Sequence, residues 1–144
     1  MNKGEEQQCL IVKKEADIFE AMNVTEEIAS KLGFREDDKL FLRLVTEEAC
    51  MNAYEYCQKT KQTGFEIWWK KQQDLLSIYL KHRGKKFNID INSDQVNYGL
   101  RGRGLQLIVN LMDHVDVKQY GDFVEFSMQK YITNKRQRER NGLI

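Results

Sequence analysis

The residues best suited to chemistry are a carboxylate and an amide on one face of a single predicted helix. The sequence from Lys39 to Gln58 has helical periodicity, and its buried stripe repeats every four residues: Phe41, Val45, Ala49 and Ala53. Glu48 and Asn52 also lie four residues apart, at the edge of this stripe. A polar group buried without a partner costs about 1–3 kcal/mol, so both side chains need partners.

Two interpretations of Glu48 and Asn52 follow from the pattern. One is that the side chains hydrogen-bond a neighbouring strand or reach solvent at the helix edge. The other is that their oxygen atoms point together at a hard cation, since Mg²⁺ prefers oxygen ligands and is often carried by phosphates. The pattern alone leaves both open.

A glycine-containing segment, Gly102-Arg103-Gly104-Leu105, directly precedes a short predicted helix, Leu105 to Met112. It ends a polar stretch that begins at Asn92 and has the composition of a loop. Glycines let the backbone approach a ligand closely, and the amides at a helix N-terminus favour an anion such as phosphate. The same pattern is common where no ligand binds, so the segment indicates a phosphate site without establishing one.

The elements that would position these motifs run strand, two helices, two or three strands, loop, helix and two strands. The predicted strands are Cys9–Lys14, Phe65–Lys70, Leu75–Lys81, Val115–Gln119 and Phe123–Tyr131, and a first helix spans Ala16–Leu32 before a Gly33 cap. This order favours an α+β fold, a two-layer α/β sandwich with helices on one face of a mixed sheet. Trp68 and Trp69 are adjacent on a strand, so one must face the core and the other must face outward.

Composition and charge limit the function classes. The chain has 144 residues, of which 41 % are hydrophobic and 31 % charged, with a net charge of +1. This excludes a fully disordered chain and argues against a globally basic nucleic-acid-binding protein. We predict one domain over residues 1–132 and a basic tail over 133–144, with four cations and one anion. The tail is either a solvated terminus or a weak contact for nucleic acid or an acidic partner.

The chain has no sequence feature of a membrane or secreted protein. No apolar run approaches the ~20 residues that cross a bilayer, and the N-terminus lacks a signal-type apolar segment. Cys9, Cys50 and Cys57 form no CxxC pair, and we interpret all three as reduced, apolar packing residues. These features predict a cytoplasmic protein that does not contact a membrane.

The two motifs together resemble a known family. Glu48 to Ala53, then Gly102 to Leu105 about fifty residues later, then Leu111 to Asp113, are similar to segments of the small bacterial anti-sigma factor serine/threonine-protein kinases. That family belongs to the histidine-kinase-like ATPase superfamily, which has the Bergerat fold. The resemblance spans nearly the whole chain, and the predicted element order agrees with it.

The resemblance implies roles for individual residues. Asn52 would coordinate Mg²⁺, and Glu48 would activate the hydroxyl of a substrate serine. The end of the ATP lid would hold the phosphates through the backbone of two glycines; its residues are Gly102, Arg103, Gly104 and Leu105. Phosphoryl transfer needs mainly positioning, a metal clamp and a base for the acceptor hydroxyl, which these residue types supply.

The adenine-binding turn of the family, Asp-x-Gly-x-Gly, is altered in this chain. After the strand Leu75 to Lys81 the sequence reads His82-Arg83-Gly84-Lys85-Lys86, so only the first glycine is kept, as Gly84. His82 stands at the Asp position and Lys86 at the second glycine. A neutral imidazole accepts one hydrogen bond but does not reproduce a carboxylate.

The function implied by the resemblance is an anti-sigma regulatory factor that uses ATP and Mg²⁺ to phosphorylate a serine or threonine of an antagonist protein. Its partners would be that antagonist and a sigma factor, with no direct contact to nucleic acid, and it would dimerise through its first strand and helix. The alternative is a protein-binding module of the same fold that regulates a partner by sequestration and no longer uses nucleotide.

Overall fold

The computed structural model describes residues 5–85 and 102–132. The elements are Glu5–Val12 (β1), Glu15–Leu32 (α1), Glu36–Lys59 (α2), Phe65–Gln72 (β2), Leu75–Arg83 (β3), Gly102–Leu111 (α3), His114–Tyr120 (β4) and Phe123–Tyr131 (β5). Lys86, most of the predicted loop after Asn92 and the predicted tail at 133–144 lie outside the described residues.

Five strands form one sheet in the order β1-β2-β3-β5-β4, which confirms the predicted α+β class. The sequence predicted a mixed sheet, whereas every described strand pairing is antiparallel. The reason lies in the connections. The hairpin of α1 and α2 returns the chain to the end of the sheet where β1 finishes, so β2 runs the opposite way. Short turns then join β2 to β3 and β4 to β5, which permits only antiparallel neighbours.

The core lies between the helices and one face of the sheet. Alternate residues of the central strands point there and are at most 8 % exposed: Phe65, Ile67, Trp69, Leu76, Ile78, Leu80, Val124, Phe126 and Met128. The other face, called here the open face, carries the half-buried side chains of Trp68, Tyr79, Lys81 and Phe123. The prediction that the two tryptophans face opposite sides is therefore confirmed.

A buried chain of hydrogen bonds fixes the helix layer on the sheet. Thr46 donates to the carbonyl of Leu42 (2.7 Å), so its oxygen accepts from Thr25 (2.9 Å). The Thr25 hydroxyl in turn accepts from the indole N–H of Trp69 (2.8 Å). Both hydroxyls are thus satisfied without water. Because these hydrogen bonds join α1, α2 and β2, they set the rotation of α2 about its own axis, and with it the direction of Glu48 and Asn52.

The predicted cap at Gly33 is confirmed, since its φ of +95° suits glycine and its N–H bonds the carbonyls of Ala29 and Ser30. Cys50 and Cys57 are buried free thiols, and burial raises the pKa of Cys57 to about 11. The prediction that Cys9 is an apolar packing residue is wrong. Strand alternation places it opposite Trp68 on the open face, where it is exposed. Within residues 5–85 and 102–132, the helices are too short or too polar to span a membrane.

Candidate functional site

One side of α2 presents three polar side chains at four-residue spacing, Glu48, Asn52 and Tyr56. Asn52 is only 1 % exposed, while Glu48 and Tyr56 are half-buried. The buried apolar stripe of the helix faces α1 and the sheet, so this polar side is turned toward α3 and the turn that follows β3. The site is therefore built along α2, with one contact at each end.

The first turn of α3 lies directly against Glu48 and Asn52. A Cβ atom added to Gly104 would stand 2.5 Å from Glu48 Oε1 and 3.6 Å from Asn52 Nδ2. Because Gly104 has no side chain, the backbone of α3 comes close to both residues, and the structure brings the two predicted motifs into contact across 56 residues of sequence. Gly102 is the first residue of α3, and Leu105 is buried in the core. Only the backbone of Arg103 is described.

The N–H groups in the first turn of a helix have no acceptor within the helix and carry the positive end of its dipole. Phosphate binds readily at such a terminus. At the start of α3, backbone of this kind lies beside the carboxylate of Glu48 and the amide of Asn52. The arrangement therefore combines a place for phosphates with a potential base and an oxygen ligand.

At the other end of this side of α2, Tyr56 packs against the turn that follows β3. Gly84 has a φ of +147°, and a Cβ atom placed there would overlap the Tyr56 hydroxyl. The backbone of Gly84 is held on both sides, because its N–H donates to the Asp122 carbonyl and its carbonyl accepts from Gln119 Nε2, each at 2.9 Å. The turn is thus a fixed surface on which the Tyr56 ring rests.

His82 completes this end of the site, with its ring centroid 4.8 Å from that of Tyr56. Its Nδ1 lies 2.9 Å from the carbonyl oxygen of Arg83. Because a carbonyl only accepts, Nδ1 must carry the hydrogen, which leaves Nε2 of the neutral ring as an acceptor. Burial lowers the pKa of His82 below its ordinary 6.5, although the bond to Arg83 opposes this, so the ring is neutral at pH 7.

The structure thus places the predicted site residues in two groups along α2. Glu48, Asn52 and Gly104 form one group, and His82 and Gly84 form the other, in contact with Tyr56. Sequence reasoning missed Tyr56. Its signal was available, since it follows Asn52 at the same spacing that joins Asn52 to Glu48. The altered position Lys86 lies outside the described residues.

The donor set fits a magnesium ion that arrives with phosphates. Mg²⁺ is usually held by one or two protein oxygens together with substrate phosphates and water. Within the described ranges, no three His, Cys, Asp or Glu side chains are grouped closely enough to hold a metal by themselves. The Asn52 amide oxygen would be the protein ligand, beside the α3 terminus that would hold the phosphates.

Comparison with known proteins gives a consistent family. Residues 11–130 match the family model described as the histidine kinase-like ATPase domain. The serine-protein kinase RsbW of Bacillus licheniformis is 33 % identical over 122 residues, covering 76 % of this chain and 74 % of that protein. RsbW of Bacillus subtilis (strain 168) is 29 % identical over 122 residues, with the same coverage.

A solved structure supports the same fold at low sequence identity. A chain in the crystal structure of the SiaB-SiaC complex from Pseudomonas aeruginosa superposes with a TM-score of 0.59 at 14 % identity. The superposition covers 85 % of this chain and 88 % of that chain. The family match over 120 residues and the identity to the RsbW kinases together show that this chain belongs to the histidine kinase-like ATPase family, in the group that includes the anti-sigma factor serine-protein kinases.

Proposed function

We propose that this protein is a cytoplasmic anti-sigma regulatory factor that uses Mg-ATP to phosphorylate a serine of an antagonist protein. The observation that carries the proposal is the contact of Gly104 with Glu48 and Asn52. It supports the proposal because a helix terminus, which suits an anion, lies next to residue types that could serve phosphoryl transfer as a base and a hard-cation ligand. The relatives named as serine-protein kinases support the same reaction class.

In this mechanism the N-terminus of α3 binds the phosphates of ATP, and the amide oxygen of Asn52 would hold the magnesium ion. The magnesium ion, when bound, offsets negative charge on the phosphates. Glu48 accepts the proton of the serine hydroxyl while the serine oxygen forms a bond to the γ-phosphorus. The bond from that phosphorus to the β–γ bridging oxygen breaks, and ADP leaves. The products are phosphoserine, ADP and a protonated Glu48.

The helix layer offers a surface for protein partners. Leu40 and Leu44, one turn apart on the outer side of α2, are 66 % and 38 % exposed, and Phe19 of α1 is 60 % exposed. A surface helix normally turns polar residues outward, so apolar side chains in these positions support a partner-binding role. By resemblance to the family, we propose a sigma factor and its antagonist as partners, and a homodimer as the assembly.

A second candidate is a module of this fold that sequesters a partner without using nucleotide. The observation in its favour is the altered turn, where a neutral His82 stands at the position of a carboxylate and Tyr56 rests on Gly84. Both candidates use the same surfaces for protein contacts. They differ in whether the site along α2 binds Mg-ATP.

Calorimetry with Mg-ATP separates the two candidates. We expect the parent protein to bind, and Asn52→Ala to weaken binding at least ~10-fold, because alanine removes a metal ligand and is well tolerated in a helix. Asn23→Ala is the matched control, since Asn23 is an exposed α1 residue whose side chain accepts from Arg43. If the parent and Asn52→Ala bind Mg-ATP with equal affinity, Asn52 is not part of the binding site. No binding by the parent would favour the sequestering module.

The tautomer of His82 predicts a pH dependence. A neutral ring with hydrogen on Nδ1 offers Nε2 as an acceptor for the adenine amino group, and protonation converts this acceptor into a donor. Because burial holds the pKa of His82 below 6.5, Mg-ATP affinity should be flat above pH 7 and fall at more acid pH. The measurement is the ratio of parent to His82→Gln affinities from pH 5.5 to 8, which cancels protonation of ATP itself. A ratio that does not change with pH would contradict a hydrogen bond from the adenine amino group to His82.

A further inference from the structure

A second concave site lies on the open face, at the end of the sheet where β2 begins and β3 ends. Four cations line it, Lys13, Lys61, Lys81 and Arg83, and these define what we call the basic groove. Glu66 is the sole carboxylate among the described residues that line it, and Glu66 Oε1 already accepts from the indole N–H of Trp68 at 2.9 Å. The groove therefore carries a positive charge that its own walls do not neutralise.

Two of the four cations, Lys81 and Arg83, are positioned by contacts other than ion pairs. Lys81 Nζ and Arg83 Cζ lie over the Phe123 ring, 5.1 and 5.3 Å from its centroid. The Gln62 side chain bonds both backbone groups of Arg83, donating to its carbonyl at 2.9 Å and accepting from its N–H at 3.1 Å. Across residues 5–85 and 102–132, no carboxylate forms an ion pair with any of the four cations. Cations that form no ion pair in a concave site favour an anionic ligand.

The surroundings of these cations favour a peptide over a nucleic acid. Single-stranded nucleic acids bind grooves in which bases stack on exposed aromatic faces. Here the ring of Phe123 is already covered by Lys81 and Arg83. The apolar group left open at the rim is Ile11, which is 54 % exposed and suits an aliphatic side chain rather than a base.

We propose that the basic groove binds an acidic segment of a protein partner, through carboxylates at the four cations and an apolar side chain at Ile11. The groove opens on the face of the sheet opposite to Tyr56, but His82 lines it as well and packs against Tyr56, so the groove adjoins one end of the site along α2. Arg83 lies between His82 and Gly84 in sequence, and a bound partner would therefore contact that turn from the open face.

The test uses a fluorescein-labelled, end-capped dodecapeptide of glutamate, with binding to the full chain followed by anisotropy at 50 mM salt. The variant is Lys61→Glu/Lys81→Glu, and the matched control is Lys31→Glu/Lys118→Glu, which makes the same charge change at exposed positions outside the groove. We expect the groove variant to lose at least ~10-fold in affinity and the control to lose less than ~2-fold. Far-UV circular dichroism and thermal melting establish that both variants are folded.

Four results would overturn the proposal. Equal losses in the groove variant and the control would mean that only overall charge attracts the peptide, and absence of binding to the parent would remove the site. A twelve-nucleotide thymidine oligomer that binds more tightly than the peptide, and is lost in the same variant, would assign the groove to nucleic acid. If instead the groove variant alone shifts the oligomeric state in light scattering, the groove is an interface between copies of this chain. None of these readouts uses ATP, so failure here is distinct from failure of the proposed kinase function.

Discussion

Replacing Glu48 with alanine is expected to slow phosphoryl transfer from ATP to the antagonist protein by about 10²–10⁴-fold, the usual cost of removing a general base. The carboxylate lies beside the first turn of α3, where the phosphates would bind, and it is half-buried rather than part of the apolar core. Alanine favours helix, so we expect Glu48→Ala to keep the fold of α2. The measurement is transfer of radiolabelled phosphate to the partner under single-turnover conditions.

Two further variants show whether the slower transfer comes from loss of the proton acceptor. Glu48→Gln keeps the size of the side chain and removes its basicity, so it should be as slow as Glu48→Ala. Glu47→Ala removes the neighbouring carboxylate, which lies about 100° further round the helix axis than Glu48, and should keep the parent rate. Parent-level transfer by Glu48→Gln would show that Glu48 positions groups at the site without accepting the proton.

The sequence predicted the elements because their signals are local. The apolar stripe of α2 and the glycine cap of α1 depend on neighbours within one or two turns. The cap is present, and Val45, Ala49 and Ala53 of the stripe are buried, whereas the prediction that Phe41 is buried is wrong, since it is 38 % exposed near the start of the helix. The strand directions were harder, since a mixed sheet and an antiparallel one have the same alternation of side chains. What decided them was the return of the α1–α2 hairpin to the end of β1, a property of packing between whole elements.

The candidate site was also predictable from the sequence only where its signals are local. The spacing of Glu48 and Asn52 predicted that they share a side of α2, but no periodicity reports that Gly104 reaches them from a distant part of the chain. That contact was anticipated through the family resemblance alone. The position of Tyr56 on Gly84 was not anticipated, because it depends on the path of the turn after β3 and on the rotation of α2 set by its buried hydrogen bonds.

The contact between Tyr56 and Gly84 leads to a stability prediction, in which Gly84→Ala lowers the free energy of unfolding by about 2–4 kcal/mol. Two costs add: a non-glycine residue at a φ of +147° is strained, and the new Cβ would overlap the Tyr56 ring and hydroxyl. Urea denaturation of the parent and the variant measures the loss. Because the turn also carries His82, we expect the same change to weaken Mg-ATP binding.

Two companion variants separate the two costs. Gly33→Ala places a methyl group at a φ of +95° with no atom within 4 Å of the new Cβ, so it reports backbone strain alone and should cost less than Gly84→Ala. In a Tyr56→Phe background the hydroxyl is gone while ring contacts of 3.0 Å remain, so Gly84→Ala should cost about 1 kcal/mol less than in the parent. If Gly84→Ala and Gly33→Ala cost the same, and Tyr56→Phe gives no relief, then Tyr56 does not rest on this turn in solution. The end of the site formed by His82 and Gly84 could then bind the adenine of a nucleotide without displacement of the tyrosine.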